Sequence, residues 1–263
     1  MTVIEARPEI LAFLDGEIVA RLRTAMEHLG MRVILGQRWG RVAREGARVT
    51  TELDGGERLE SDCVLYAAGR FGNTAGLGLE KIGVEPNPRG YVSVDSAYRT
   101  SAPGVLAAGD VIGFPALASA SMEQARVAVC KAFGFSYKQA VSDIMPYGIY
   151  TIPEVSAVGE TEESARAKNM DVVVGRALYE NNARGQITGD LDGMTKLVVE
   201  KKTRRVVGVH VIGERATELG HIGQTALHCE APVDLFIEMV FNYPTLAESY
   251  KYAAYECLAA LAR

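Results

Sequence analysis

The sequence predicts two fold classes in succession: an α/β part built on a parallel sheet, and then an α+β part. The first prediction rests on TVIEA and MRVILG, two strand-like runs that flank one long amphipathic segment. A strand, a helix and a strand of these lengths form a crossover between parallel strands. The second prediction rests on the region after about Ser142, where several strand-like runs precede two or three helical segments.

The crossover helix is predicted from Glu9 to Leu29, because apolar residues recur there at spacings of three and four. Gly30 suits the position just after a helix, where a left-handed backbone is common. The preceding run, TVIEA, covers Thr2–Ala6. A strand therefore begins at residue 2, and no strand lies before it in the sequence to complete a nucleotide-binding sheet.

Several shorter elements follow the crossover. RVTTEL and RLESD form a predicted hairpin, because Asp54-Gly55-Gly56 between them is a strong turn signal. CVLYAAGR and GVLAAGDVIG are predicted as buried strands, with a loop-dominated region at 71–95 between them, and LASASMEQARVAVCKAFG is predicted as a helix. Beyond these we expect a charged helix at 160–169 and strands near 172–178, 195–199 and 206–212.

Charge and hydropathy exclude several classes of partner. The 263-residue chain has a net charge of −5, with its Lys and Arg scattered among acids, which argues against a nucleic-acid partner. No apolar run approaches the roughly 18–20 residues of a membrane span. The N-terminus lacks the pattern of a signal peptide. We therefore expect a cytoplasmic protein without a membrane partner.

Metal-ligating residues are dispersed along the chain. The four cysteines lie far apart without a CxxC spacing, and we expect each to be a small buried apolar residue: Cys63, Cys130, Cys229 and Cys257. The four His residues have no carboxylate at metal-ligand spacing. The sequence therefore predicts no metal site.

The end of the first strand carries two charges that suit a nucleotide. In a dinucleotide-binding unit, an acid at the end of the second strand accepts hydrogen bonds from the ribose hydroxyls, whereas an Arg nearby pairs with the 2′-phosphate of NADP. VIEAR offers both Glu5 and Arg7, two residues apart and so on one side of an extended strand. The alternative is a strand end with two solvated charges. No GxGxxG phosphate loop occurs in the chain.

Two glycine-containing strand ends are further candidates for ligand contact. In an open α/β sheet, ligands lie beyond the carboxyl ends of the strands, and a glycine lets a flat ring approach the backbone. AAGR ends in Ala68, Gly69 and Arg70, and GVLAAGD ends in Gly109 and Asp110. Asp110 can accept from a hydroxyl-rich cofactor chain, or it can be an ordinary turn or N-cap acid.

These runs, taken in order, resemble the pyridine nucleotide–disulfide oxidoreductase family of flavoproteins. The resemblance comprises AAGRFGNTAGLGLEKIGVE, then V-D-x-x-x-R-T-S-x-P-G-V-L-A-A-G-D, then LASAS and IPEVSAVGETE, and it covers essentially the whole chain. It implies a partial Rossmann-like nicotinamide-nucleotide domain at 1–69, a central FAD-contacting segment at 70–141 and an α+β dimerisation domain at 142–263. The Gly-rich loops for FAD and NAD(P) would lie upstream of this sequence.

The resemblance implies roles for individual residues. Gly109 and Asp110 match the ribityl and diphosphate end of FAD, and Leu117, Ala118 and Ser119 match the segment whose backbone faces the flavin ring. Ala68, Gly69 and Arg70 match the turn that lines the NAD(P) channel. Glu5 and Arg7 match the adenosine-ribose segment. The implied cofactors are FAD, NAD and NADP.

The run FNYPTLAES departs from the family's dithiol enzymes. Those enzymes carry His-Pro-Thr followed by Glu, and the histidine crosses the dimer interface to act as acid and base for the thiols. Here Tyr243 replaces the histidine, while Glu248 is kept. An imidazole titrates near neutral pH and a phenol near about pH 10, so the thiol base is missing at this catalytic segment.

This departure, together with Gln124 where many relatives have Glu, resembles the transhydrogenase branch of the family, in which hydride passes from NADPH through FAD to NAD⁺. One alternative is a dithiol reductase of the lipoamide or mercuric-ion type, with its cysteine pair upstream. Another is a non-catalytic dimerising scaffold. The apolar C-terminal helices favour a homodimer, although they can also pack within their own domain.

Overall fold

The structure is a computed structural model that describes residues 1–262. The described chain divides into two compact units. Residues 1–64 together with the residues from Ile144 onward form the first, and Leu65–Asp143 form the second. Parallel and antiparallel sheets both occur with helices, so the predicted mixture of α/β and α+β structure is confirmed. The predicted domain ranges stay a prediction.

The crossover at the start of the first unit is confirmed. Strand β1 (Thr2–Glu5) pairs in parallel with β2 (Arg32–Leu35), and helix α1 (Gly16–His28) connects them. The helix begins at Gly16 instead of Glu9, because Asp15 is its N-cap and accepts a hydrogen bond from the Glu17 N–H at 3.1 Å.

A three-stranded antiparallel sheet follows, with β4 in its centre. Its strands are β3 (Trp39–Glu45), β4 (Arg48–Leu53) and β5 (Arg58–Ser61). The predicted hairpin is confirmed as β4 and β5. Strand β3 was not predicted, because most of its residues are exposed and it therefore lacks a clear apolar pattern.

The second unit contains one long helix, α2 (Ala118–Phe133), which confirms the helix predicted there. Two short 3₁₀ turns, Leu79–Ile82 and Gly109–Ile112, lie in a chain that is otherwise loop. A small core is built around Val84, Val92 and Ala102. The prediction of a loop-dominated region at 71–95 is confirmed.

The two strands predicted from CVLYAAGR and GVLAAGDVIG are wrong. Residues 63–70 form no strand and are exposed, with Leu65 at 89% exposure. The second run makes only an isolated bridge between Arg99 and Leu106 before its 3₁₀ turn. Apolar composition favours a buried strand only where neighbouring strands pair with its backbone, and within residues 1–262 neither run has such neighbours.

The C-terminal part of the first unit is a five-stranded antiparallel sheet in the order β6-β7-β10-β9-β8. Its strands are β6 (Tyr147–Ile149), β7 (Val155–Gly159), β8 (Val172–Leu178), β9 (Met194–Glu200) and β10 (Val206–Ile212). The helices are α3 (Glu162–Ala167), α4 (Ala183–Thr188), α5 (Ala216–His228), α6 (Asp234–Glu238) and α7 (Ser249–Leu261).

This sheet is covered on both faces. Successive residues of a strand point to opposite faces. Val209 and Val211 of β10 pack in the cluster that contains residues of α5 and α7, whereas Ile212 packs with Ile18 and Leu22 of α1. The N-terminal crossover helix and the C-terminal sheet therefore share one core.

The cysteines divide between the core and the surface. Cys130 and Cys257 are buried, as expected, and burial raises the pKa of the Cys257 thiol to about 12. The expectation of burial is wrong for Cys63 and Cys229, which are exposed. Each of the two lies in a segment outside regular secondary structure, where no apolar layer covers it.

Candidate functional site

The turn that presents Asp110 depends on a glycine. Gly109 is buried with φ at 83°, a left-handed backbone that favours glycine. A Cβ at this position would lie 3.1 Å from the Ser121 side chain of α2. The Gly109 N–H donates to the Gln124 Oε1 at 2.7 Å, and Gln124 is itself buried. The Gly-Asp turn therefore rests directly on α2.

Asp110 itself is exposed and lies beside a cation. The Arg70 Nη1 donates to the Asp110 Oδ2 at 2.7 Å. The Ser121 Oγ lies 3.3 Å from the Asp110 Oδ1 and 3.0 Å from the Leu117 carbonyl oxygen, and these two acceptors share its one proton. The Tyr91 hydroxyl donates to the Arg70 carbonyl oxygen at 3.1 Å. Four predicted residues, Gly109, Asp110, Arg70 and Gln124, are thus brought together within the second unit.

Sequence reasoning did not identify Ser121 as part of this group. It lies three residues before Gln124, and residues at that spacing share one face of a helix. The spacing is the signal that could have found it.

The start of α2 offers free backbone donors. Leu117 is its N-cap in an extended conformation without a side-chain cap, and Ala118 and Ser119 are exposed. The first N–H groups of a helix have no partner within the helix and carry partial positive charge. This end of α2 can therefore bind an electron-rich oxygen.

The remaining residues of the AAGR turn lie in irregular chain. Ala68 and Gly69 are exposed, and Gly69 has φ at 105°. They precede Arg70 and so lie next to the Asp110 group in sequence. Ala68 and Gly69 were predicted as ligand contacts because a strand was expected to end there, and the structure has no strand at that point.

Glu5 and Arg7 are joined by a local turn. Strand β1 ends at Glu5, so the strand alternation that was expected to place both residues on one side does not reach Arg7. Instead, the Arg7 N–H donates to the Glu5 Oε1 at 2.9 Å, and the Gly36 N–H donates to the Arg7 carbonyl oxygen at 2.9 Å. The Arg7 side chain is exposed.

Tyr243 and Glu248 lie at the start of the last helix. Tyr243 is 70% exposed. The hydrogen bond recorded for the Glu248 Oε1 comes from the Tyr252 hydroxyl at 3.4 Å, and the charge of Glu248 raises the pKa of Tyr252. The Asn182 side chain donates to the Thr245 carbonyl oxygen at 3.1 Å, which anchors the segment.

A buried cluster of charges in the first unit was not predicted. Lys196 of β9 is 1% exposed, and its Nζ lies 2.8 Å from the Asp15 Oδ1, 3.0 Å from the Glu17 Oε2 and 3.1 Å from the Glu162 Oε2. The Arg176 Nε donates to both carboxylate oxygens of Glu17 at 2.8 Å. We call these five residues the buried charge cluster. It joins α1 to β8, β9 and α3.

Hydrogen bonds and neighbouring charges together shift the pKa values of Asp15 and Lys196 more than burial does. Burial alone would raise the pKa of Asp15, but the hydrogen bond from Lys196 and the nearby charges lower it. Burial alone would likewise lower the pKa of Lys196, but Asp15, Glu17 and Glu162 raise it. Both groups are therefore held in their charged forms.

The two helices that meet at the cluster also cap each other. The Glu162 N–H donates to the Asp15 Oδ2 at 3.3 Å, and the Gly16 N–H donates to the Glu163 Oε1 at 3.1 Å. Carboxylates at helix N-termini are favourable. The cluster therefore has a structural explanation that needs no ligand.

His210 lies in the same interior. Its Nε2 is 2.9 Å from the Glu160 carbonyl oxygen, while its Nδ1 has no hydrogen-bond partner among the described residues. Burial lowers the pKa of His210.

Across residues 1–262, no group of three or more His, Cys, Asp or Glu side chains is arranged to hold a metal ion. In the same part of the chain, no helix has the length and apolar character needed to cross a membrane.

Two models of one protein family match most of the chain. The pyridine nucleotide-disulphide oxidoreductase model matches residues 1–130, and the dimerisation domain of pyridine nucleotide-disulphide oxidoreductases matches residues 145–254.

Curated proteins give the same family. The chain is 41% identical over 255 residues to the soluble pyridine nucleotide transhydrogenase of Hahella chejuensis, covering 96% of this chain and 55% of that relative. It is 41% identical over 258 residues to the protein of the same name from Mycobacterium bovis, covering 98% of this chain and 55% of that relative. The chain therefore spans about half the length of the curated relatives it matches.

Two solved structures share the fold of this chain. The HOCl-induced flavoprotein disulfide reductase RclA from Escherichia coli superposes with a TM-score of 0.91 at 26% identity, covering 97% of this chain and 58% of that one. LpdA from Mycobacterium tuberculosis gives a TM-score of 0.87 at 28% identity, covering 97% of this chain and 55% of that one. The family models, the relatives and these structures agree, and the chain belongs to the pyridine nucleotide-disulphide oxidoreductase family.

Proposed function

We propose that this chain is part of a flavoprotein that transfers hydride from NADPH to NAD⁺ through FAD, giving NADP⁺ and NADH. The observation that carries the proposal is the grouping of Arg70, Asp110 and Gln124 around Gly109, in a chain whose curated relatives are named soluble pyridine nucleotide transhydrogenase. The family implies a flavin and a nicotinamide nucleotide. When bound, FAD supplies the redox chemistry by accepting hydride and giving it up again.

The Asp110 group suits the hydroxyl-rich and diphosphate part of FAD. The exposed Asp110 carboxylate can accept from sugar hydroxyls, but alone it would repel a diphosphate. Arg70, at 2.7 Å, neutralises it and is itself 69% exposed, so its remaining N–H groups are available to phosphate oxygens. The glycine before Asp110 leaves room for Ser121, so that the turn carrying Asp110 can pack against α2.

The start of α2 suits the electron-rich edge of the flavin ring. Leu117, Ala118 and Ser119 present backbone at the N-terminus of a 16-residue helix. The partial positive charge there would favour binding of an electron-rich oxygen of the flavin ring. The chain's share of the chemistry is thus to bind and orient the cofactor.

Glu5 and Arg7 suit the two nucleotides. The Glu5 carboxylate can accept from the ribose hydroxyls of NAD, while the exposed Arg7 guanidinium can pair with the 2′-phosphate of NADP. Ala68 and Gly69, in the turn before Arg70, leave room for the nicotinamide end. A site that carries both charges fits an enzyme that uses both nucleotides.

Tyr243 and Glu248 complete the catalytic segment of the proposal. A tyrosine in place of histidine removes the imidazole that a dithiol enzyme needs near neutral pH. Hydride transfer between nicotinamides requires no thiol base. The dithiol reductase alternative draws on a flavoprotein disulfide reductase structure at 26% identity, whereas the transhydrogenase relatives are 41% identical.

The proposed partner is a second copy of this chain. The match to a dimerisation domain supports it. Val240 is 94% exposed, and the exposed rings of Tyr252 and Tyr255 lie 6.4 Å apart on α7. Other apolar residues of the C-terminal helices, including Leu219 and Leu227, are buried within their own unit. A cytoplasmic location stays a prediction.

Flavin content tests the proposal. We expect the purified complete gene product to be yellow with FAD, and Asp110→Ala to lower its FAD content several-fold while the control Asp171→Ala leaves it unchanged. Asp171 is an exposed acid paired with Lys201 and lies far from Asp110 in the sequence. A colourless wild-type protein would contradict the proposal and support the dimerising scaffold.

A further inference from the structure

The backbone before Asp110 needs a hydrogen-bond acceptor that the turn itself does not provide. Gly109 begins the 3₁₀ turn and is buried, so its N–H is cut off from water. The preceding residue, Ala108, has no side chain that could cap the turn. Buried backbone donors without partners are rare and costly.

Gln124 supplies that acceptor. Its Oε1 lies 2.7 Å from the Gly109 nitrogen, at a point fifteen residues further along the chain. Gln124 is 4% exposed and lies beneath the turn, so it does not face the exterior as Asp110 does. The side chain therefore contacts the turn that carries the candidate cofactor ligand.

We infer that Gln124 is a positioning residue that acts on FAD through the Gly109 N–H, rather than a direct cofactor contact. This inference rests on the proposed function. Gln124 bonds the backbone of the Gly-Asp turn, and the Ser121 Oγ, on the same face of α2, lies 3.3 Å from the Asp110 Oδ1.

An amide at this position has an advantage over a carboxylate. A glutamate would also accept from the Gly109 N–H, but it would place a second negative charge close to Asp110, beneath the turn whose exposed side is proposed to bind an anionic diphosphate. The neutral amide keeps the hydrogen bond without that repulsion. Replacing Gln124 by Glu and by Leu thus separates the charge from the hydrogen bond.

The hydrogen bond is tested first, by amide hydrogen exchange followed by NMR on the purified chain. In Gln124→Leu the Gly109 amide loses its acceptor, and we expect it to exchange about tenfold faster or more. Gln124→Asn, one methylene shorter, should behave like Gln124→Leu and replaces it if the leucine variant does not fold. Gln124→Glu should keep the wild-type exchange rate. Gln224→Leu, a glutamine on α5, is the matched control and should leave Gly109 unchanged.

The second measurement is FAD dissociation from the complete gene product, followed by flavin fluorescence after dilution. We expect Gln124→Leu to release FAD about tenfold faster, and Gln124→Glu to release it faster than wild type despite its intact Gly109 protection. Unchanged Gly109 exchange in Gln124→Leu would overturn the inference, as would faster exchange with unchanged FAD release. A wild-type protein that binds no FAD would overturn the proposed function. The exchange data test only the Gln124–Gly109 hydrogen bond, so the two failures can be told apart.

Discussion

Two ion pairs of nearly equal length occupy opposite environments. The Lys196–Asp15 pair measures 2.8 Å and its side chains are 1% and 0% exposed, whereas the Arg70–Asp110 pair measures 2.7 Å and its side chains are 69% and 50% exposed. The buried pair has its charges satisfied by neighbouring protein groups on several sides. The exposed pair keeps unused donors and acceptors that face outward. Distance therefore does not distinguish the two pairs, whereas burial does, and only the exposed pair is open to a ligand.

Replacing Lys196 should have the largest effect on stability. Lys196→Met leaves the fully buried Asp15 carboxylate without its paired cation, and such losses cost about 3–5 kcal/mol. Denaturant unfolding of the purified chain measures this change. The exposed Lys201–Asp171 pair provides the control, since Lys201→Met should change the free energy of unfolding by less than about 1 kcal/mol. Equal effects of the two variants would show that burial is not the deciding difference.

The second largest effect should be a fall in the free energy of unfolding as the pH is lowered. The folded state lowers the pKa of Asp15 and Glu17 from their ordinary values of 3.8 and 4.5. Their contribution to stability is therefore fully present above those values and is lost as pH falls through the lower folded pKa. Unfolding free energies measured between neutral and acidic pH should decline steeply below about pH 5 in the wild type. Lys196→Met should flatten this decline, because its carboxylates lack the cation that lowers their pKa.

His210 should also lower the stability in acid, beginning at a higher pH than the carboxylates do. Burial lowers its pKa from the ordinary 6.5, so the unfolded chain takes up a proton below that pH while the folded chain does not. The stability that His210 contributes is present above pH 6.5 and declines as pH falls toward its folded pKa. His210→Gln should remove this upper part of the pH dependence and leave the carboxylate part intact. An unchanged profile in that variant would show that His210 does not titrate differently in the two states.

Replacing Arg70 should change binding more than stability. In Arg70→Gln the loss of an exposed ion pair should cost less than about 1 kcal/mol of unfolding free energy. FAD affinity of the complete gene product should fall about tenfold, since a charge-assisted hydrogen bond contributes roughly 1.5–3 kcal/mol. Calorimetric unfolding and FAD titration measure the two effects. A large loss of stability with unchanged FAD affinity would make this pair structural, like the buried one.

The smallest expected effect is on nucleotide choice. Arg7→Ala removes an exposed guanidinium proposed to pair with a 2′-phosphate, so KM for NADPH should rise more than KM for NAD⁺. Steady-state kinetics with each nucleotide measure this, and Arg44→Ala, another exposed arginine of the first unit, serves as the control. Equal losses for both nucleotides would contradict the role given to Arg7.

The spacing of apolar residues and the turn residues predicted those parts of the fold that neighbouring residues determine. The crossover from β1 to β2 and the β4–β5 hairpin follow from apolar spacing and turn residues. The strands predicted at 63–70 and 104–113 were wrong, because a strand needs pairing partners that an apolar run does not specify. Strand β3 was missed because its residues are mostly exposed.

The candidate site divides in the same way. Gly109 and Asp110 were predicted from a short motif, since neighbouring residues form the turn. Outside the candidate site, the Lys196–Asp15 contact joins residues 181 positions apart, and no spacing rule reaches that far. The position of Gln124 beneath Gly109 likewise required the fold, although its membership of the site was predicted.

The most direct test of the proposed function is hydride transfer without a dithiol. The complete gene product, supplied with NADPH and a thionicotinamide analogue of NAD⁺, should form the reduced analogue with no disulfide substrate present. Asp110→Ala should lose this activity together with its FAD, while Asp171→Ala should keep both. A protein that oxidises NADPH only when a disulfide such as oxidised lipoamide is added would contradict the proposed function.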